Sequence, residues 1–237
     1  TQMGNQGHAG EGIRLVREWF QAGVLGEVRE ANIWTDRPIW PQGFPEWPAE
    51  EPKPAGLDWN LFLGRSQERP YSSAIHPFKW RGYQDYGCGA LGDMACHLMD
   101  ASFWNLELGS PSSVELKEIE SASKVAFPKS AVVEYQFPAR KSADGRSTLP
   151  PVKLTWHEGG KKPAKPAQME ENRQLAKGGQ LIIGSKATVY DGNDYCNSPR
   201  IVPESLHQQL QPSFPPKTIP RVPQNEPHRE WITGIRQ

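Results

Sequence analysis

The sequence predicts an α+β fold, an open, largely antiparallel β-sheet with helices on one face, and three observations carry that prediction. Five segments beyond residue 112 mostly alternate apolar with polar residues, as strands do when a sheet is covered on one side only. Two segments before residue 106 repeat their apolar residues at the 3.6-residue helical period. Between them, Gly26–Thr35 alternates Val28, Glu30, Asn32 and Trp34 against Arg29, Ala31 and Ile33, which is a strand with both faces partly covered. An open sheet leaves a face to be covered, so an isologous sheet-to-sheet dimer is expected.

In chain order, Glu11–Phe20 places Ile13, Val16 and Phe20, with Leu15 and Trp19 beside them, on one side of a helix closed by Gly23. Residues 37–56 hold six prolines with Trp40, Phe44 and Trp47, a long ordered loop or lid. A short helix follows at Leu57–Leu63, stopped by Gly64, and Pro77 fixes His76 in an extended conformation ahead of Trp80 and Arg81. The strands are Ser113–Glu120, Ala131–Phe137, Val152–Trp156, Gln180–Ile183 and Ala187–Tyr190, with a hairpin-like turn at Gly184-Ser185-Lys186. Basic, proline-dotted stretches at 139–150 and 159–167 read as solvated connections. Beyond Asn193 the chain is proline-rich until an amphipathic segment at 226–236, where Trp231, Ile232 and Ile235 share a face.

Composition narrows the function. The 237 residues suffice for one large or two small domains, and 27 basic residues balance 27 acidic ones. Neutrality argues against nucleic acid and anionic membrane surfaces as partners and favours a small neutral ligand. No apolar run approaches the ~18 residues of a membrane span, and the chain reads as soluble. Cys88, Cys96 and Cys196 lack metal-ligand spacing. The nine tryptophans, set among 23 prolines, are either pins for long loops or platforms for sugar rings.

The candidate chemistry centres on Gly87-Cys88-Gly89-Ala90-Leu91-Gly92-Asp93-Met94-Ala95-Cys96-His97-Leu98-Met99-Asp100. Its apolar residues predict a helix from just after Gly92 to about Asn105, with Asp93 in the first turn. Asp93, His97 and Asp100 then share one face, a geometry suited to proton transfer that also fits a structural acid–imidazole pair. The glycines spell G-x-G-x-x-G, but their lead-in, Trp80–Tyr86, is polar and aromatic. A dinucleotide fingerprint needs a buried apolar strand there, and an acid in the first helical turn repels phosphate. A metal site on Asp93, His97 and Asp100 lacks a supporting histidine or cysteine cluster. Asn5, His8, Arg37, Trp80 and Arg81 are expected to border the same pocket as substrate-binding residues.

With the Gly23-x-x-Gly26-x-Val28 strand entry, Trp34-Thr35-Asp36-Arg37-Pro38 and Gly87-x-Gly89-x-x-x-Asp93-x-x-x-His97-x-x-Asp100, the sequence resembles the Gfo/Idh/MocA family of glucose-fructose oxidoreductase and inositol dehydrogenase. The resemblance covers nearly the whole chain, but only the family's C-terminal substrate and oligomerisation domain. It implies NAD- or NADP-dependent oxidation or reduction of a sugar, inositol or related polyol, with His97 as general acid/base and Asp93 orienting it or binding an adjacent hydroxyl. The family's N-terminal Rossmann domain and its Glu-Lys-Pro segment are absent. Residues 1–10 are therefore expected to be the remnant of a link, and 11–237 a substrate domain, shortened at its C-terminus and inactive alone. The parent is expected to be cytoplasmic unless upstream residues carry an export signal, and a homo-oligomer through the open sheet face. Two other readings are NAD-dependent glycoside cleavage by oxidation and elimination, and a non-catalytic carbohydrate-binding protein using Trp40, Trp47 and Trp80 as platforms.

Overall fold

Residues 3–236 are described by a computed structural model. After a 3-10 turn at Gln6–Ala9 come α1 (Glu11–Gln21), β1 (Val28–Trp34), α2 (Trp59–Leu63), α3 (Gly89–Asn105), β2 (Ser113–Glu120) and β3 (Ser130–Phe137). A small ribbon, β4 (Arg140–Lys141) and β5 (Thr148–Leu149), precedes β6 (Val152–His157), β7 (Gly179–Gly184), β8 (Thr188–Asp191), β9 (Arg200–Val202), α4 (Glu204–Leu210) and α5 (Pro227–Arg236). The main sheet runs β2-β3-β6-β1-β7-β8-β9. All its pairings are antiparallel except β1 with β6, where Ala31 lies opposite Leu154 and Ile33 opposite Trp156. The largely antiparallel α+β architecture is therefore the observed one.

Register follows the period-two pattern. Ile33, Leu154, Trp156, Ile182, Val189 and Ile201 point to one face and are buried there with Ile13 and Val16 of α1 and Met94 and Leu98 of α3. Burying each large apolar side chain is worth about 1.5–3 kcal/mol, so this layer is what fixes α3 against the sheet. The opposite face is polar at its centre, where Asn32 donates to Glu30 at 2.9 Å and Gln136 to Glu134 at 2.9 Å, with Lys153 at 3.7 Å from Glu30. Toward β8 and β9 that face is covered: Trp34, Leu181, Tyr190 and Val202 pack with Met169 and Leu175 from the β6–β7 connection.

The C-terminal segment is tied back to α1. Glu18, almost wholly buried, accepts from the backbone of Thr218 (2.6 Å) and Ile219 (2.9 Å) and pairs with Arg221 at 2.7 Å. Burial alone pushes this carboxyl up, but the hydrogen bonds from Arg221, Ile219 and Thr218 outweigh it and hold its pKa at about 2.

Several expectations are corrected. Helix α3 begins at Gly89, so Asp93 falls beyond the first turn. Gly89 takes a left-handed φ of +64°, and a side chain there would run into the ring of Phe127. Residues 73–78 form turns, so His76 does not lie in an extended run. The proline-rich stretch beyond Asn193 contains β9 and α4, and Pro203 sits at the cap position before α4, where its missing N–H costs nothing. Strand β2 has its predicted bounds, yet Val114, Leu116 and Ile119 are about half exposed. It is the edge strand, and α3 does not extend over it. No helix among the described residues is long and apolar enough to cross a membrane.

Candidate functional site

Helix α3 carries Asp93, His97 and Asp100 on the flank that the N-terminal segment crosses. The side-chain amide of Asn5, itself buried, donates from Nδ2 to the Cys96 carbonyl at 2.6 Å, while its Oδ1 lies 3.1 Å from Nδ1 of His97. Nε2 of His97 has no hydrogen-bond partner among the described residues, and the side chain is half-buried. One turn further along, Nδ1 of His8 lies 2.9 and 3.0 Å from the two carboxylate oxygens of Asp100, and its ring packs 5.0 Å from Trp104. The hydrogen bond to Asp100 raises the His8 pKa above the ordinary imidazole value against the opposing effect of burial. A cavity of about 470 Å³ opens beside this pair, lined by Met3, Asn5, His8, Asp100 and Glu230.

Tyr195 closes the other side of His97. Its ring meets the imidazole edge-on at 5.3 Å, and its hydroxyl accepts from Nε2 of Gln6 at 3.0 Å. The residue lies in the β8–β9 loop, which its own side chains fold. Asp191 accepts from the backbone of Asn193 (3.0 Å) and Ser198 (2.8 Å), and Asn193 accepts from Tyr195 (2.9 Å) and Asn197 (3.0 Å). Such Asx turns fix a loop without regular structure. Gly7 packs closely on Tyr195, where a Cβ would come within 3.2 Å of its side chain. Tyr195 was not anticipated; the run of Asp191, Asn193 and Asn197 was the signal for a loop rigid enough to present it.

The remaining expected residues lie around this flank with less direct contact. Nε of Arg81 is 3.5 Å from Asp93, and its guanidinium stacks 4.5 Å from Trp80 and 4.6 Å from Phe78. Asp93 thus faces Arg81, and no hydrogen bond joins it to His97 among the described residues. Arg37 pairs with Asp36 at 2.6 Å and reaches Asp194, the neighbour of Tyr195, at 3.6 Å. Asn5, expected to bind substrate, has both ends of its amide engaged within the protein.

Trp40 is buried and donates to Gln42 at 2.8 Å, and Trp47 lies between Tyr83, stacked at 5.2 Å, and the Arg69 guanidinium at 3.5 Å. These tryptophans pin the 37–56 loop; their faces are not free as sugar platforms. The three glycines of G-x-G-x-x-G are likewise filled by the protein's own packing, Gly87 against Arg81, Gly89 against Phe127 and Gly92 against Cys88. Nothing there cradles a pyrophosphate. Among the described residues no group of three or more histidines, cysteines or carboxylates is placed to hold a metal.

Beyond the opposite flank of α3, a groove of about 290 Å³ is lined by Leu91, Leu116, Ile119, Phe127, Val133 and Glu158. Burial pushes the Glu158 carboxyl up to a pKa of about 7, although Nε1 of Trp156 donates to it at 3.0 Å.

The chain has no match among curated proteins. Several solved structures match at low similarity. The WlbA dehydrogenase from Bordetella pertussis, in complex with NADH and UDP-GlcNAcA, is 16% identical with a TM-score of 0.41, over 81% of this chain and 42% of its own. An oxidoreductase from Thermotoga maritima is 13% identical with a TM-score of 0.40, over 92% and 53%. A levoglucosan dehydrogenase in complex with NADH and levoglucosan is 14% identical with a TM-score of 0.39, over 80% and 39%. The chain thus spans about two-fifths to one-half of the length of these structures. Residues 40–147, which include Trp80, Arg81 and all of α3, match the family model described as oxidoreductase family, C-terminal alpha/beta domain. That segment is similar to the C-terminal domains of the Gfo/Idh/MocA oxidoreductases.

Proposed function

We propose that this chain is the substrate domain of an NAD(P)-dependent oxidoreductase that acts on a sugar, inositol or related polyol, with His97 as the general acid/base at the reacting hydroxyl. The observation that carries the proposal is the state of His97: one nitrogen held by Asn5, the other without a partner among the described residues, on a half-buried ring. A neutral imidazole nitrogen without a hydrogen can take a hydroxyl proton during oxidation and return it during reduction. Asp93, one turn before His97 on α3, contacts Arg81, which stacks on Trp80, and these groups are able to hydrogen-bond neighbouring hydroxyls and to stack on a ring. The glycine triad is filled by side chains and backbone and offers no cradle for a dinucleotide. The cofactor is therefore assigned to residues elsewhere in the complete enzyme, and this chain alone is not expected to turn over.

The test is His97→Ala in the complete enzyme, assayed with NAD(P) and a panel of polyols. The turnover number should fall by about 10²-fold or more, with cofactor affinity nearly unchanged. Unaltered turnover would remove His97 from the chemistry.

A further inference from the structure

We propose that Asn5 is a positioning residue that fixes the tautomer of His97, placing the proton on Nδ1 and leaving the Nε2 lone pair as the base. The inference rests on the reading of His97 as the acid/base and adds which nitrogen acts and what selects it.

The assignment follows from which groups donate and which accept. A backbone carbonyl can only accept, so the end of the Asn5 amide lying 2.6 Å from the Cys96 oxygen is the NH₂ group. The other end is then the amide oxygen, which also can only accept. It lies 3.1 Å from Nδ1 of His97, so this nitrogen must carry the hydrogen when the imidazole is neutral. Asn5 is 8% exposed, which keeps water from exchanging with either bond and makes an unsatisfied amide costly. Reversing the amide would set NH₂ against Nδ1 and oxygen against the Cys96 oxygen, two acceptors in contact. The orientation is therefore locked by the helix backbone.

The neighbouring residues hold the ring from its other side. Gln6 donates to the Tyr195 hydroxyl at 3.0 Å, and the Tyr195 ring packs edge-on against the imidazole at 5.3 Å. Three consecutive residues, Asn5, Gln6 and Gly7, thus set tautomer, ring orientation and ring clearance for one histidine. Cys96, which receives the Asn5 hydrogen bond, is the residue just before His97, so helix and amide move together.

The experiment is long-range ¹H–¹⁵N correlation on the ¹⁵N-histidine-labelled chain, with the pH raised until the ring ¹⁵N shifts no longer change. The His97 signals are assigned by their loss in His97→Gln. The expected spectrum has Nδ1 protonated and Nε2 unprotonated. Asn5→Leu should move the Nδ1–H to Nε2–H ratio toward Nε2–H by about tenfold, the worth of one hydrogen bond. A wild-type spectrum with the proton on Nε2, or an Asn5→Leu spectrum identical to wild type, overturns the proposal. Should the leucine variant fail to fold, the wild-type spectrum still decides. None of these readouts depends on turnover, so a wrong tautomer and a dispensable His97 are separate failures.

Discussion

The two flanks of α3 are built on opposite principles. On one, Asn5, His97, His8, Asp100, Tyr195 and Gln6 form polar contacts of 2.6–3.1 Å. On the other, Leu91, Leu116, Ile119, Phe127 and Val133 line an apolar groove whose buried acid, Glu158, has a neutral indole as donor. Both flanks contain groups with displaced pKa values, but for different reasons. His8 is raised first by a partner, Asp100, whereas Glu158 is raised by the loss of water. The contrast teaches that a displaced pKa does not by itself mark chemistry; the flank whose partners fix geometry is the one able to aim a proton.

The strongest way to break this contrast is to compare the two histidines under the proposed activity, in the full-length protein. His97→Gln is expected to lower the turnover number by about 10²- to 10⁴-fold, roughly 3–5 kcal/mol in the barrier, and His8→Gln by less than about tenfold. Equal losses measured by steady-state kinetics would erase the distinction between them.

Glu158 offers the next largest effect. Its pKa is raised from 4.5 to about 7 in the folded state, so the native chain retains a proton that the unfolded chain releases across that window. Its contribution to stability therefore falls as pH rises from 4.5 through 7. Glu158→Gln, which keeps an acceptor for Trp156, should stabilise the protein at pH 8 by ~1–3 kcal/mol and bring little gain near pH 4. Urea unfolding at the two pH values measures this, and a gain of the same size at both would contradict it.

Asp100→Asn should act in the opposite sense. Because the folded His8 pKa is raised, the pair's stabilisation is fully present below about pH 6.5 and is lost as pH rises through the higher folded value. With the His8 side chain 43% exposed, water screens the pair, and the loss is expected to stay within about 1 kcal/mol. Thermal melts at pH 5.5 and 8.5, together with an NMR titration of His8 that moves downward, are the checks.

The smallest effect belongs to Asp93→Asn. Its 3.5 Å contact with Arg81 joins two side chains about 30% exposed, so stability should change by no more than about 0.5 kcal/mol. A loss above 2 kcal/mol in denaturant unfolding would show Asp93 to be as tightly bound into this flank as Asn5.

Much of the scaffold was legible because its signals are periodic. The apolar stripe of α1, the alternation of β1 and β6, and the bounds of β2 all follow from residues that repeat at the spacing of their element. The i,i+4 spacing of Asp93 and His97 likewise put both on one flank of α3. What escaped was set by contacts distant in sequence. Asn5 and His97 are 92 residues apart, and nothing local in either segment announces that the amide faces the ring. Asp93 turned to Arg81, a partner that helical spacing could not reveal. Strand β9 is three residues long, too short for a period, and the tryptophans of the 37–56 loop became pins only once Tyr83 and Arg69 arrived to cover them.

Strand β1 pairs on one side with β6 and on the other with β7, both more than 100 residues downstream. Residues 40–147, the stretch that resembles its relatives, lie wholly inside the excursion between β1 and β6 and contain neither of the sheet's two central strands. Expressed alone, that stretch would leave β3 with a bare inner edge and α3 without the apolar floor of Ile33, Leu154 and Trp156. The border drawn by kinship and the smallest piece able to stand by itself are different borders, and only the second encloses the histidine together with everything that aims it.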